Sequence, residues 1–405
     1  VTGVQTCALP ISTTGSSLLC NAQPMIVEGY QGRLALANNG NIINCAQLQA
    51  QQKKDWNCTF ESTTDTEVMA YMLANASGAD WEERLFYCMR QLEGAYSLVA
   101  LTEDTLMAAR DPLGIRPLCI GKLDGGWIIA SESCALDHLG ATYMRELEPG
   151  EVVIIDPQGF RSSVWSGATG RRALCVFELI YFARPDSLLD NKLVHSVRQE
   201  LGAQLAREHP VEADLVIGIP DSSTAAAVGY ARESGIPFSE GLVKNRYVGR
   251  TFIEPEQRMR DLGVRQKFNP LTEVIAGQRI VVVDDSIVRG TTTPHVVGLL
   301  RKAGAAEIHM RVCAPPIKHP CFMGVDMATR QELIAANQTV DEIRKFIDAD
   351  TLGYLDVKGL MKVVGGTNGG YCDACFTGNY PVPVQLELTK LVLEEPPAEL
   401  EILSD

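Results

Sequence analysis

The chain has 405 residues, is 46% hydrophobic and carries a formal net charge of −14. Its length predicts two or three domains, and its apolar fraction is ample for real cores and excludes a disordered chain. The acidic balance argues against nucleic-acid and anionic-membrane partners, no apolar run reaches transmembrane length and no secretory leader is visible, and twelve cysteines are too sparse for a disulfide scaffold and predict a reducing, cytoplasmic setting.

In chain order, residues 1–12 show no periodicity, and the chain beyond them reads as starting in mid-domain. They are expected to be an artefact joined to a truncated gene. From there to about residue 165 the chain reads as β-rich. Strands are predicted at Leu34–Ala37, Ser97–Leu101, Gly126–Ala130 and Val152–Ile155, between Gly, Asp and Asn turns. Helices are predicted over Asp65–Leu73 and Trp81–Leu92, so stacked layers are expected. A linker is predicted at Ser163–Arg172. From Ala173 onward helices and strands alternate. A helix at Leu193–Arg207 precedes a strand at Leu215–Ile219 and an alanine-rich helix ending near Gly235. A β-branched strand at 279–284 and its helix to Gly304 come next, then a strand at Glu307–Cys313 and a capping box at Thr339–Glu342. The alternation predicts a doubly wound parallel sheet with helices on both faces and ligands at the carboxyl ends of its strands. Residues 391–405 read as an acidic tail.

The most telling stretch is the one from Arg279 to Thr293. A run of Ile280, Val281, Val282 and Val283 reads as a strand buried on both faces. It ends in Asp284 and Asp285, and a loop with Ser286, Arg289, Gly290, Thr291, Thr292 and Thr293 leads into a helix with Pro294 at its start. Glycine lets the backbone approach an anion, hydroxyls add donors, and a helix N-terminus favours phosphate. Two carboxylates just before such a loop suit the adjacent hydroxyls of a sugar. The bland reading is a capped helix with two solvated acids. A second loop, Pro220-Asp221-Ser222-Ser223, falls at the end of the preceding strand. Between Lys244 and Lys267, seven basic residues (Lys244, Arg246, Arg250, Arg258, Arg260, Arg265, Lys267) face only Glu254, Glu256 and Asp261. In an acidic protein that island fits a concentrated anion such as pyrophosphate with Mg²⁺, and an ordinary solvated loop is the alternative. Cys372 and Cys375 form a C-x-x-C, with Cys175 and Cys321 elsewhere. Four thiolates suit Zn²⁺ or a [4Fe–4S] cluster, and spacing does not separate these.

The Asp284 loop closely resembles the 5-phosphoribosyl 1-pyrophosphate (PRPP) signature of type I phosphoribosyltransferases. Together these segments, from about Thr13 to Thr389, resemble the amidophosphoribosyltransferase family in its iron–sulfur branch. The resemblance implies two domains. Residues 13–165 would be a type 2 glutamine amidotransferase of the N-terminal-nucleophile (Ntn) class, an αββα sandwich missing its start. Residues 173–390 would be the phosphoribosyltransferase. It also implies an Asn39–Gly40 oxyanion hole, although an Asn-Gly pair by itself reads as a tight turn. Thr13 and Asp65 would bind glutamine. Lys244, Asp284, Asp285, Ser286, Arg250, Arg289, Gly290, Thr291, Thr292 and Thr293 would bind PRPP. Ser222, Asp284 and Asp285 would hold Mg²⁺, and Cys175, Cys321, Cys372 and Cys375 would ligate the cluster.

The activity implied is transfer of ammonia from glutamine to C1 of PRPP, which releases pyrophosphate and gives 5-phosphoribosylamine, the first step of purine synthesis. A tetramer is the family's usual assembly. The sequence departs from the family in lacking the cysteine nucleophile at a mature N-terminus, and Asn38 stands where His is usual. The glutaminase half is therefore expected to be inactive in this chain, with free ammonia serving instead. The alternatives are another PRPP-dependent phosphoribosyltransferase and a PRPP-binding regulator.

Overall fold

The computed structural model describes residues 15, 18–168, 170–245, 268–325, 329–367, 369–384 and 393. The expected artefact at 1–12, Thr13, the basic stretch at 246–267 with Arg250, and nearly all of the 391–405 tail lie outside them. The chain forms two compact units. The first comprises Val1–Leu174, Phe322–Asp326 and Tyr380–Asp405; the second comprises Cys175–Cys321 and Met327–Asn379. Among the described residues no helix is long and apolar enough to cross a membrane.

In the first unit, β1 (Met25–Gly29), β2 (Gly32–Ile42), β3 (Gly94–Leu101), β4 (Leu106–Arg110), β8 (Glu151–Asp156) and β9 (Gly159–Val164) pair in that order as one antiparallel sheet. A second sheet has β5 (Cys119–Leu123) between β6 (Gly126–Ala130) and β7 (Thr142–Glu146). Because side chains alternate along a strand, each sheet fills two layers. On one face of the large sheet, Leu34, Leu36, Leu98 and Met107 pack with Val68, Met69 and Met72 of the helix Asp65–Asn75 and with helix residues Cys45, Leu48 and Leu85. On its other face, Ala108 and Val153 meet Ile120 of the small sheet and Leu118 just before it. Leu136, from the helix Ser133–His138, closes the far side of that sheet against Cys119. The layering is helix, sheet, sheet, helix, as expected of an Ntn-type αββα sandwich.

In the second unit, β10 (Leu215–Gly218), β11 (Arg279–Asp284), β12 (Glu307–Val312) and β13 (Thr351–Tyr354) make a four-stranded, wholly parallel sheet in chain order. The expected β-branched strand is its centre, and Ile280, Val281, Val282 and Val283 are all fully buried. Ile280 and Val282 join a cluster with Val296, Val297 and Leu300 of the helix Thr293–Lys302 and Ile343 of the helix Val340–Phe346. The alternate positions, Val281 and Val283, face the other layer. The helices Val194–Glu208 and Thr224–Ser234 approach closely there. A Cβ at Gly202 would collide with the Ala226 carbonyl, and one at Gly229 with that of Gln199. Truncating Ile280 to Ala is expected to cost about 2–5 kcal/mol, read from urea unfolding, because the sheet centre cannot collapse around the void.

Candidate functional site

The carboxyl ends of β10 and β11 gather the expected ligand-binding residues of the second unit. Asp284 is partly exposed, and Asp285 is buried. The two acids are therefore not equivalent, and the reading of both as solvated ends does not hold for Asp285. The Asp285 N–H donates to Asp284 Oδ1 at 2.9 Å, and the Ser223 hydroxyl donates to the same oxygen at 3.3 Å. Ser286 Oγ donates to Asp285 Oδ1 at 2.6 Å. Burial raises the Asp285 carboxyl above the ordinary carboxylate range. The Ser222 and Ser286 hydroxyls, then the Arg198 charge and Ser223, oppose that shift. Arg198, 3% exposed, is a site residue that the sequence reading missed, and Ser223 of the expected second loop, fully buried, joins the site beside Ser222. Arg198 donates from Nε to Leu179 O at 3.1 Å and from Nη2 to Ala183 O at 2.6 Å. It thereby spans the single turn of π-helix at Glu178–Phe182.

The loop after Asp285 is shaped by Gly290, whose φ of +72° lies in the left-handed region. A Cβ there would stand 2.6 Å from Ile334 Cδ1, a side-chain end that would have to move aside, so the requirement for glycine lies in the backbone conformation. The Ile334 N–H donates to Val288 O at 3.0 Å and ties the loop to the chain beyond β12. The helix that begins at Thr293 has Pro294 in its first turn and no side-chain cap from Thr292. A first turn without a capping side chain suits an anion. Arg289 forms an exposed ion pair with Glu332 at 3.6 Å. Lys244 Nζ reaches Asp221 Oδ2 at 2.7 Å and so links the end of its strand to the loop after β10.

In the first unit, Asn39 and Gly40 lie inside β2, where they pair with Ser97 and Tyr96. The tight-turn reading of this Asn-Gly pair therefore fails. At Gly40 a Cβ would collide with the Ala95 carbonyl. Arg116 Nε donates to Asn39 Oδ1 at 3.2 Å, which fixes the amide's orientation from 77 residues away. Asp65, fully buried at the start of the helix Asp65–Asn75, accepts from the Ile42 N–H at 2.9 Å and from Thr66 Oγ1 at 3.4 Å. Burial, and then the Asp65 charge, push the nearby Cys45 thiol up to about 12. Asn41 Nδ2 donates to Phe322 O at 2.9 Å, so a segment distant in sequence flanks the strand end. Asp65→Ala leaves the Ile42 N–H unpaired inside the fold. It is expected to lower stability by about 1–3 kcal/mol in denaturant unfolding.

The four expected cluster cysteines share a neighbourhood in the second unit. Burial pushes the Cys375 thiol far up, and the charges of Cys175, Cys321 and Cys372 raise it further. The Lys318 and His319 N–H groups both donate to Cys375 O, at 2.9 and 3.1 Å, joining the Cys321 and Cys375 segments. The rings of Phe177 and Phe376, two residues from Cys175 and next to Cys375, lie 6.3 Å apart. Among the described residues no three His, Cys, Asp or Glu side chains converge closely enough for one metal ion.

Comparison with known proteins gives the same division. Residues 14–138 match a glutamine amidotransferase domain model, and residues 185–320 match a phosphoribosyl transferase domain model. A curated amidophosphoribosyltransferase of Synechococcus elongatus is 47% identical over 391 residues, covering 95% of this chain and 79% of the relative. One from Bacillus subtilis is 47% identical over 378 residues, covering 92% and 79%. Among solved structures, the B. subtilis glutamine PRPP amidotransferase complexed with ADP and GMP superposes with a TM-score of 0.86 at 46% identity, covering 94% of this chain and 84% of that one. A structure of the allosteric regulatory enzyme of purine biosynthesis gives 0.87 at 46%, covering 95% and 83%.

Proposed function

The chain belongs to the amidophosphoribosyltransferase family, and on that premise we propose how its residues divide the work. The family is one of glycosyltransferase-type enzymes that use PRPP, and the match of residues 14–138 to a glutamine amidotransferase domain weighs against a nucleobase phosphoribosyltransferase.

One observation carries the reading: a carboxylate pair at the carboxyl end of a buried parallel strand, followed by a glycine-shaped loop into a helix without a side-chain cap. The loop N–H groups and the hydroxyls of Ser286, Thr291, Thr292 and Thr293 hold the 5′-phosphate. Asp284, the more open acid, accepts from the ribose hydroxyls. Asp285, gripped by Ser286 and set against Ser222, keeps the loop in register. Ser222, Asp284 and Asp285 offer only oxygen donors, which suits a hard cation, and Mg²⁺ bound there would offset pyrophosphate charge. Lys244 and Arg250 stabilise the leaving pyrophosphate as ammonia displaces it from C1. Lys244 reaches that role by leaving Asp221. Arg289 exchanges its exposed Glu332 partner for phosphate.

On the glutamine side, Arg116 holds the carbonyl end of Asn39, so that the amide nitrogen can donate to an oxyanion together with the Gly40 N–H. Asp65 and Thr13 hold the amino-acid end of glutamine. Cys175, Cys321, Cys372 and Cys375 hold a [4Fe–4S] cluster. The mutual influence of the four thiols, with Cys175, Cys321 and Cys372 all raising Cys375, is what supports that reading.

The test is release of pyrophosphate from PRPP with Mg²⁺ and ammonium at alkaline pH, where free ammonia is abundant. Pyrophosphate that appears in proportion to ammonia is the expected result, and PRPP left intact at saturating ammonia would refute the assignment.

A further inference from the structure

A buried hydroxyl near the phosphate loop has no role in the division of work above. Asp284, Val312 and Tyr354 occupy one register row across β11, β12 and β13. Side chains in such a row share a face of the sheet. The Tyr354 ring accordingly packs in the cluster with Ile287 and Ile334, and Ile334 is the side chain that a Cβ on Gly290 would strike. Tyr354 therefore lies on the face that carries the phosphate loop. It is 7% exposed, and its hydroxyl is buried with no hydrogen-bond partner among the described residues. Burial, and then the charge of Asp284, raise its phenol well above the ordinary tyrosine range. The group is thus held as an O–H donor with no acceptor, beside a carboxylate reserved for a sugar. Buried donors are rarely left unmatched unless a ligand or water completes them.

We propose that Tyr354 is a further ligand-contacting residue, whose hydroxyl donates to an oxygen of the sugar phosphate seated between Asp284 and the Gly290 loop. The proposal rests on the PRPP reading of that loop. It adds a neutral donor from the third strand of the row to a site otherwise built from β10, β11 and their loops.

The experiment is calorimetric titration of the full chain with PRPP and Mg²⁺, for the wild type, Tyr354→Phe and Asp284→Asn, with melting curves of each free protein. Tyr354→Phe is expected to weaken PRPP binding about five- to tenfold. It should melt at or above the wild type, since phenylalanine fills the same space without the orphaned donor. Wild-type affinity in Tyr354→Phe, with binding lost in Asp284→Asn, would overturn the Tyr354 contact and leave the PRPP site standing. A wild-type chain that takes up no PRPP would overturn both. A Tyr354→Phe protein that melts well below the wild type would assign the residue to packing and overturn the contact.

Discussion

Asp284→Asn is expected to lower kcat/KM for PRPP in the ammonia-dependent reaction by about 10²-fold or more, with little change in melting temperature. The substitution keeps the shape of the side chain. Its amide oxygen can still accept from Ser223 and from the Asp285 N–H, two bonds that help seat Asp284 at the head of the loop. What is lost is the charge and one acceptor oxygen, which becomes an amide donor. Hydrogen bonds to a charged acceptor contribute about 1.5–3 kcal/mol each, and two ribose hydroxyls would lose that advantage together. Each 1.4 kcal/mol is a factor of ten. Arg289→Ala provides the contrast. Its partner Glu332 is exposed and 3.6 Å away, so removing the pair should leave stability within about 0.5 kcal/mol. Initial rates of pyrophosphate release across a PRPP series, beside thermal melts, decide the matter. An Asp284→Asn enzyme with near wild-type kcat/KM would remove the acid pair from the sugar site.

What the sequence made legible, and what it hid, divides along the range of the forces involved. The central strand was readable because a parallel strand buried on both faces leaves an uninterrupted apolar run, and Ile280 to Val283 are all fully buried. The helix ending at Ser234 was readable because Gly235 caps it in the left-handed conformation. The helix Cys45–Asp55 gave no comparable signal. It buries only Cys45, Leu48 and Gln52, and its glutamines and lysines blur any apolar face. The strand Cys119–Leu123 is short and ends in half-exposed positions, and its sheet is fixed by pairing with β6 and β7 rather than by local preference.

The Asn39–Gly40 pair has turn-forming chemistry, yet unbroken pairing with β3 from Ala35 to Ile42 holds it extended, a tertiary override that no local rule detects. Arg116, Arg198 and the particular bond of Ser223 escaped for a related reason. Each acts on a partner far along the chain, 77 residues for Arg116 on Asn39 and 61 for Ser223 on Asp284. Their roles become visible only once the fold has brought those partners together. Buried arginines are a useful flag after the fact, because the cost of burying a guanidinium implies specific acceptors.

The purified chain is expected to be brown and to contain about four iron atoms with matching sulfide. Cys375→Ser is expected to abolish that iron, lower the melting temperature and depress PRPP turnover as well. The cysteines lie on three remote segments, at 175, 321 and 372–375. Ligation by all four would close long loops, and constraints of that kind act chiefly on the unfolded chain. Without metal, burial and the neighbouring sulfurs hold the Cys375 thiol protonated. The effect on turnover follows from Arg198. That side chain is bonded to Leu179 O and Ala183 O, in and just after the π-helical turn that follows Cys175, and its charge opposes the raised pKa of Asp285. Loosening the Cys175 segment would loosen Arg198, and with it the acid that holds Ser286 in the phosphate loop. Iron and sulfide assays, visible absorption and ammonia-dependent rates for both proteins test the chain of effects. Stoichiometric zinc without iron in the wild type would replace the cluster by a structural ion. A Cys375→Ser protein that lost its iron but kept full PRPP turnover would cut the link through Arg198.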